Sequence, residues 1–267
     1  MERRAVKSAS RTLEVLELFS EQRRPLRLND IYTALGYPQS SATNLLKSMV
    51  MLGYLNYNRA TRTYLPTIRV TVLGNWLLGF IHGQGNYRRL VDQLHRETDE
   101  TVALVTQNDL FIQYIMMRVP THEHKMPPNE GAMRLMLDSS SGIALLSQVS
   151  DREIDKICRY TNYYELAPGG RINLEDVMRE VNWARHTGYC YVPNRPTPEV
   201  SSLSFPLGEQ LHGIPLAIGV GGMAERISLK KSAIVATIRR LIDQFKEHTG
   251  PFADLAGPAT REPLSRE

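Results

Sequence analysis

Between Leu26 and Tyr64 the chain sets out a short helix, a tight turn, a second helix with one polar face, and a basic hairpin. Leu28, Ile31 and Leu35 recur at helical spacing, with Asn29 and Asp30 placed to cap the first turn and Gly36 to end the helix. Pro38 suits the first position of the next helix, whose apolar stripe is Leu45, Leu46, Met49, Val50 and Leu52 before Gly53 stops it. The opposite face carries Gln39, Ser40, Ser41, Thr43, Asn44 and Lys47, short hydrogen-bonding groups plus one cation. Such side chains reach base edges and phosphates when a helix lies in the major groove. Tyr54 to Tyr57 and Arg62 to Leu65 alternate like two strands joined by Asn58 to Thr61, which puts Arg59 and Arg62 near the tip, in reach of phosphate or minor groove. The stretch therefore predicts a winged helix-turn-helix reader of double-stranded DNA.

Charge points the same way. Residues 1–80 hold eleven Lys or Arg against five Asp or Glu, a surplus of six. The whole chain is +4, so residues 81–267 sum to −2 and the positive charge belongs to the end that carries the polar-faced helix. Lys7 and Arg11, one helical turn apart ahead of the motif, join the candidate DNA contacts. Ser8 to Phe19 predicts a third helix with Leu13, Leu16 and Phe19 on its inner face.

After the hairpin, Val70 to Phe80 reads as a very apolar helix, and Val72, Leu73, Trp76, Leu77 and Phe80 need covering by another chain or the next domain, most simply by a second copy of the chain. The remainder alternates: helices over Tyr87–Thr98, Gly142–Gln148, Asp151–Tyr160, Asn173–Thr187 and Leu229–His248, and strands over Thr101–Val105, Phe111–Met117, Tyr189–Val192, Ser202–Leu207 and Leu216–Val220. The fold class is α+β. We divide the chain into a DNA-binding domain over 1–67, a linker and dimerisation helix over 68–83, a ligand-binding domain over 84–250, and a flexible tail over 251–267 rich in Pro and charge.

Several function classes find little support. No apolar run has the length of a signal peptide or a membrane span, so a cytoplasmic protein without a membrane partner is expected. Cys158 and Cys190 lie far apart without ligand spacing and read as buried thiols. Thr121-His122-Glu123-His124-Lys125 offers two imidazoles and a carboxylate but no third ligand, so neither metal nor cofactor is expected. Gly219-Val220-Gly221-Gly222 lacks the spacing of a dinucleotide loop, and no nucleophile elbow, phosphate loop or HExxH helix occurs, so an enzyme is not expected. The competing reading is a scaffold or small-molecule-binding module that does not read DNA.

The chain resembles the IclR family of transcriptional regulators over about residues 7–250. The matches are Lys7-Ser8-Ala9-Ser10-Arg11-Thr12-Leu13, Leu35-Gly36-Tyr37-Pro38-Gln39-Ser40-Ser41 and Leu52-Gly53-Tyr54-Leu55 in the first part. In the second they are Ser139-Ser140-Ser141-Gly142-Ile143-Ala144, Thr187-Gly188-Tyr189, Val200 to Pro206, and Leu216 to Gly222 with Arg226. The resemblance implies a winged N-terminal domain, a dimerising linker helix and a GAF-like α/β effector-binding domain. It further implies a homodimer or dimer of dimers on operator DNA, repressing or activating, with RNA polymerase as a further candidate partner. It places the effector pocket at Ser140, Ser141, Val192, Ser202, Gly219 and Gly221, and it marks departures. Asn44 stands where an Arg is usual, Val192 replaces an Asp, Ser202 a Cys, and Gly219 and Gly221 two Ser. Less polarity and more room suggest a carboxylate bulkier than a short oxoacid, an aromatic acid or its derivative. Its anion would sit at the helix N-terminus after Ser139, and Met133, Met136, Leu203 and Phe205 would form an apolar wall.

Overall fold

The computed structural model describes residues 6–83, 86–120, 128–195, 198–211 and 213–248. The Thr121–Lys125 run and the tail lie outside the described residues. The chain divides into two compact units, Met1–Gly83 and Gln84–Glu267.

The first unit runs α1 (Lys7–Gln22), β1 (Leu26–Arg27), α2 (Leu28–Leu35), α3 (Gln39–Met51), β2 (Leu55–Asn58), β3 (Thr63–Pro66) and α4 (Ile68–Gly83). The three helices and the hairpin close on Val15, Leu18, Phe19, Leu26, Ile31, Leu46, Met49, Leu55 and Tyr64. Each such side chain contributes about 1.5–3 kcal/mol on full burial, which a unit of this size requires. The inner face of α1 is Val15, Leu18 and Phe19; Leu13, expected there, is 60% exposed. In α2 the Asp30 carboxylate accepts from the Arg27 amide at 2.9 Å, whereas Asn29 does not cap and instead accepts from the Tyr32 hydroxyl at 2.6 Å. Gly36 ends α2 in the left-handed region, φ 66°. The Tyr37 amide then reaches back to the Tyr32 carbonyl at 2.9 Å, the bond that closes such a helix end. Pro38 stands one place earlier than expected, as the N-cap of α3, and Leu52 leaves the apolar stripe as an exposed C-cap.

The wing is a three-stranded sheet in the order β1-β3-β2. Strand β1, two residues long, has no periodicity of its own to announce it and pairs Leu26 with Tyr64. The Tyr57 and Tyr64 rings face each other across the hairpin at 4.7 Å. On α4, Ile68, Val72, Leu73 and Trp76 are exposed.

The second unit runs α5 (Asn86–Thr98), β4 (Thr101–Asn108), β5 (Phe111–Arg118), β6 (Met133–Leu135), α6 (Ser140–Leu146), α7 (Asp151–Tyr164), α8 (Leu174–Thr187), β7 (Cys190–Val192), β8 (Val200–Leu211), β9 (Ile214–Met223) and α9 (Ala224–His248). Among the described residues its six strands form one antiparallel sheet ordered β6-β5-β4-β9-β8-β7. Helix α6 lies on one face with α8 beside it and α7 against α8; α5 and α9 pack together on the other. The core on the α6 side joins Ala103, Val105 and Ala217 of the sheet to Ile143, Leu146, Ile154, Val181 and both buried cysteines. Asn173 caps α8 by accepting from the Glu175 amide at 2.9 Å, and Gly188 ends it with φ 80°.

One contact that the sequence did not announce ties α9 to the sheet. Glu100, 0% exposed, receives the Arg226 guanidinium on both carboxylate oxygens, at 2.6 and 2.8 Å, and Lys230 at 3.0 Å. A buried carboxylate is tolerable only when so neutralised. Gly222 passes alongside because a Cβ there would come within 2.5 Å of a Glu100 oxygen.

Candidate nucleic-acid interface and ligand cavity

In the first unit, α3 turns Ala42, Leu46 and Met49 into the core. That leaves Gln39, Ser40, Asn44 and Lys47 exposed and Ser41 and Thr43 half-buried on the other side. The Thr43 hydroxyl donates back to the Gln39 carbonyl at 2.8 Å, so it is engaged within the helix, while Asn44 extends from the same exposed face. The hairpin tip is a turn in which the Asn58 side chain accepts from the amides of Ala60 and Thr61, at 2.9 and 3.2 Å. Arg59 is exposed there. Arg62, expected as the start of a strand, instead takes a left-handed conformation (φ 56°) at the end of the turn, which keeps it exposed beside Arg59. Lys7 is exposed on α1 and Arg11, half-buried, lies over the Tyr37 ring with its guanidinium carbon 4.6 Å from the centroid. A polar helix face and cations on wing and α1 thus belong to one compact unit, the chemistry that a groove and its flanking phosphates demand.

In the second unit a cavity of about 300 Å³ opens between the sheet and the start of α6. Of the residues singled out by sequence, Ser139, Ser140, Ser141, Ser202, Gly219 and Gly221 line it. Val192, Met133, Met136, Leu203 and Phe205 do not. Val192 and Met136 belong to the core, and Met133 is 54% exposed on the edge strand. Leu203 and Phe205 alternate with Ser202 and Ser204 along β8 and so face the opposite side, where Phe205 stacks on Tyr189 at 5.1 Å and Arg239 of α9 covers Tyr189 at 5.8 Å. The apolar wall consists instead of Ala103, Ile112, Tyr114, Met117 and Val200. Polar groups absent from the sequence reading join it: Arg134 from β6, Arg195 from the turn after β7, Asp138, and Ser204. Ser204 was legible, since it sits two places after Ser202 on one strand; the two arginines carried no local signal.

The cavity floor is a chain of hydroxyls. Ser140 donates to Ser202 at 2.8 Å, and Ser204 lies 2.8 Å from both Ser140 and Ser141. A hydroxyl has one proton, so with Ser140's committed to Ser202 the remaining directions follow: Ser204 donates to Ser140 and Ser141 donates to Ser204. Three bonds consume three of four protons. The one left over belongs to Ser202, the member of the chain that is half-exposed. Gly219 makes this packing possible, because a Cβ there would meet the Ser204 and Ser141 oxygens at 2.7 and 3.1 Å. The space expected from glycine at that position is therefore taken by hydroxyls. At Gly221 a Cβ would meet nothing nearer than 3.6 Å, and that room is open. The helix N-terminus is less available than expected, since Ser139 Oγ already accepts from the Gly142 amide at 2.9 Å. On the wall, burial pushes the Tyr114 phenol up while Arg134 pulls it back. Arg195 is paired with Glu180 of α8. Among the described residues no cluster of His, Cys, Asp and Glu could hold a metal, and no helix is long and apolar enough to cross a membrane.

Comparison with known proteins agrees across both units. The IclR helix-turn-helix domain model matches residues 8–59, and the model of the bacterial transcriptional regulator IclR C-terminal matches residues 85–245. The HTH-type transcriptional regulator XynR of Escherichia coli is 21% identical over 90% of this chain and 94% of its own length. The transcriptional repressor IclR of the same organism is 23% identical over 84% and 82%. Among solved structures, an IclR homolog from Microbacterium hydrocarbonoxydans complexed with 4-hydroxybenzoate superposes with a TM-score of 0.67 at 15% identity, covering 91% of this chain and all of that one. With family models over both halves, relatives that are regulators rather than enzymes, and a helix-turn-helix unit followed by an antiparallel-sheet unit with a lined cavity, the chain belongs to the IclR family of DNA-binding transcriptional regulators.

Proposed function

We propose that this regulator controls a catabolic operon and that its effector is a small organic acid, in the first place a monocyclic aromatic carboxylic acid or its derivative. The cavity carries the reading. Its volume of about 300 Å³ lies at the small end for small-molecule sites, on the order of 300–1,000 Å³, and suits a single ring rather than a nucleotide. Arg134 supplies positive charge for a carboxylate, Ile112, Met117 and Val200 supply apolar wall, and Ser202 and Tyr114 offer hydroxyls. A relative of the same fold was crystallised with 4-hydroxybenzoate, an acid of this kind.

In this reading the chain acts as a homodimer or dimer of dimers joined through the exposed Val72, Leu73 and Trp76 of α4. Effector occupancy favours one arrangement of the two reading helices over half-sites about 34 Å apart. A coupling of about 1–3 kcal/mol, or roughly 5–150-fold in operator affinity, is the usual scale. Contact with RNA polymerase is a second output that occupancy could alter.

The test is calorimetric titration of the full chain with 4-hydroxybenzoate, benzoate and pyruvate, with fluorescence anisotropy on the duplex upstream of its own coding region. Aromatic acids should bind more tightly than pyruvate and shift operator affinity. Ser202→Ala should weaken a ligand that accepts its proton by about ten- to a hundredfold, the scale of a hydrogen bond to a charged group. Tighter binding of pyruvate than of either aromatic acid would overturn the assignment of effector class.

A further inference from the structure

The cluster Arg11, Glu14 and Tyr37 lies outside the reading helix and joins α1 to the turn that precedes it. Tyr37 is placed by the end of α2, through the bond from its amide to the Tyr32 carbonyl. From there its hydroxyl donates to a Glu14 carboxylate oxygen, and its ring lies beneath the Arg11 guanidinium, 4.6 Å from centroid to guanidinium carbon. Arg11 and Glu14 are one helical turn apart, the spacing at which a guanidinium and a carboxylate ordinarily pair. They do not pair here. Among the described residues Arg11 has no carboxylate within ion-pair distance, because Tyr37 occupies Glu14 and the ring holds the guanidinium by its face. Among the described residues the half-buried guanidinium donates no N–H hydrogen bond, and the Tyr37 ring beneath it stands two residues before Gln39, the first residue of α3.

We propose that Tyr37 is a positioning residue for DNA binding: it diverts Glu14 and holds the Arg11 guanidinium free beside the start of the reading helix, where Arg11 takes a backbone phosphate. The inference rests on α3 being the reading helix. Burial and the bond to Glu14 push the Tyr37 phenol up to about 12, so it remains a donor throughout any working pH. The division of labour is chemical: an unpaired planar guanidinium suits a phosphate, whereas one neutralised by its own carboxylate would add little to binding of a polyanion.

The experiment measures anisotropy of the full chain on a random-sequence 30-base-pair duplex, as a function of salt, for wild type, Arg11→Ala, Tyr37→Phe, the double variant, and Lys47→Ala and Arg59→Ala as controls. Each phosphate contact contributes a salt slope of about 0.9, so its loss lowers affinity about fivefold at 0.15 M salt. Arg11→Ala should show that loss. Tyr37→Phe, which keeps the ring but frees Glu14 to draw Arg11 across, should lose two- to fivefold and part of the slope. In the Arg11→Ala background Tyr37→Phe should change nothing, since its effect runs through Arg11. An unchanged slope in Arg11→Ala alongside reduced slopes in the two controls would overturn the phosphate contact. Unchanged slopes in all three would show instead that the reading surface itself is misplaced, and the inference would fall with it. An equal loss from Tyr37→Phe with and without Arg11 would show that Tyr37 acts on the fold of the turn and not through Arg11.

Discussion

Placing a single methyl group at Gly219 tests whether the hydroxyl chain, and not strand geometry, demands glycine there. The backbone at Gly219 is ordinary strand, paired with Ala103 and Ser204, so alanine meets no conformational penalty. What it meets is Ser204 Oγ at 2.7 Å and Ser141 Oγ at 3.1 Å. Ser204 is 0% exposed and its oxygen is one torsion from the backbone, so it can retreat only by rotating away from both Ser140 and Ser141. Two hydrogen bonds at about 0.5–1.5 kcal/mol each give a cost of about 1–3 kcal/mol, the same range as for overpacking a core by one methyl. In a unit of this size that corresponds to a fall of roughly 2–12 °C in melting temperature. Ser204→Ala should cost a similar amount, because it strands the Ser141 proton. The two effects are not independent. Once Ser204 has lost its oxygen, most of the methyl's clash is gone, so the double variant should cost at least 0.5 kcal/mol less than the sum. Trp183 fluorescence in a Trp76→Phe background, which reports on α8 in the same unit, would follow the urea transitions, with circular dichroism recording both units together. A neutral Gly219→Ala, or costs that add to within about 0.3 kcal/mol, would refute the argument that the serine chain dictates this glycine.

Three further outcomes follow from buried groups. Arg226→Ala should destabilise the second unit by about 3 kcal/mol, the lower end for stranding a buried charge because Lys230 still reaches Glu100; thermal melts of wild type, Arg226→Ala and Arg226→Lys would check it, lysine being the milder loss. Cys190 is pushed up to about 12 by burial and Cys158 is also raised by burial, so a thiol reagent at pH 8 should find neither cysteine in the native chain and both in guanidinium; rapid native labelling would contradict the packing. The Tyr37 phenol is raised in the folded chain relative to its ordinary 10, so its contribution is fully present below pH 10 and is lost as pH climbs from 10 to about 12. Melting temperatures of wild type and Tyr37→Phe should therefore converge over that window, and a constant difference would contradict a stabilising bond from the Tyr37 hydroxyl to Glu14.

How far the sequence could be read depended on the range over which each feature is determined. Helices α2 and α8 announce themselves because their caps, stripes and stops lie within one turn of each end: Asp30, Gly36, Asn173 and Gly188 act where they stand. Strand β1 is invisible because two residues have no period, and β6 because three hardly do. The cavity shows the same division more sharply. Which of two alternating sets on β8 faces α6 is decided by the partner helix, not by the strand, and Leu203 and Phe205 are as apolar as any pocket wall. Yet the choice is binary. Once Ser140 of α6 is seen to reach Ser202, the period of two carries Ser204 to the same side and sends Leu203 and Phe205 to α9. The serine run at the start of α6 and the alternating serines on β8 were therefore two halves of one statement, each weak alone because a lone serine fits many surfaces. Their complementarity, together with a glycine on the neighbouring strand that leaves room for their oxygens, is what makes them a site. Arg134 and Arg195 have no such partner in sequence: a short edge strand and a turn bring them to the cavity, and only the closed sheet shows that they are there.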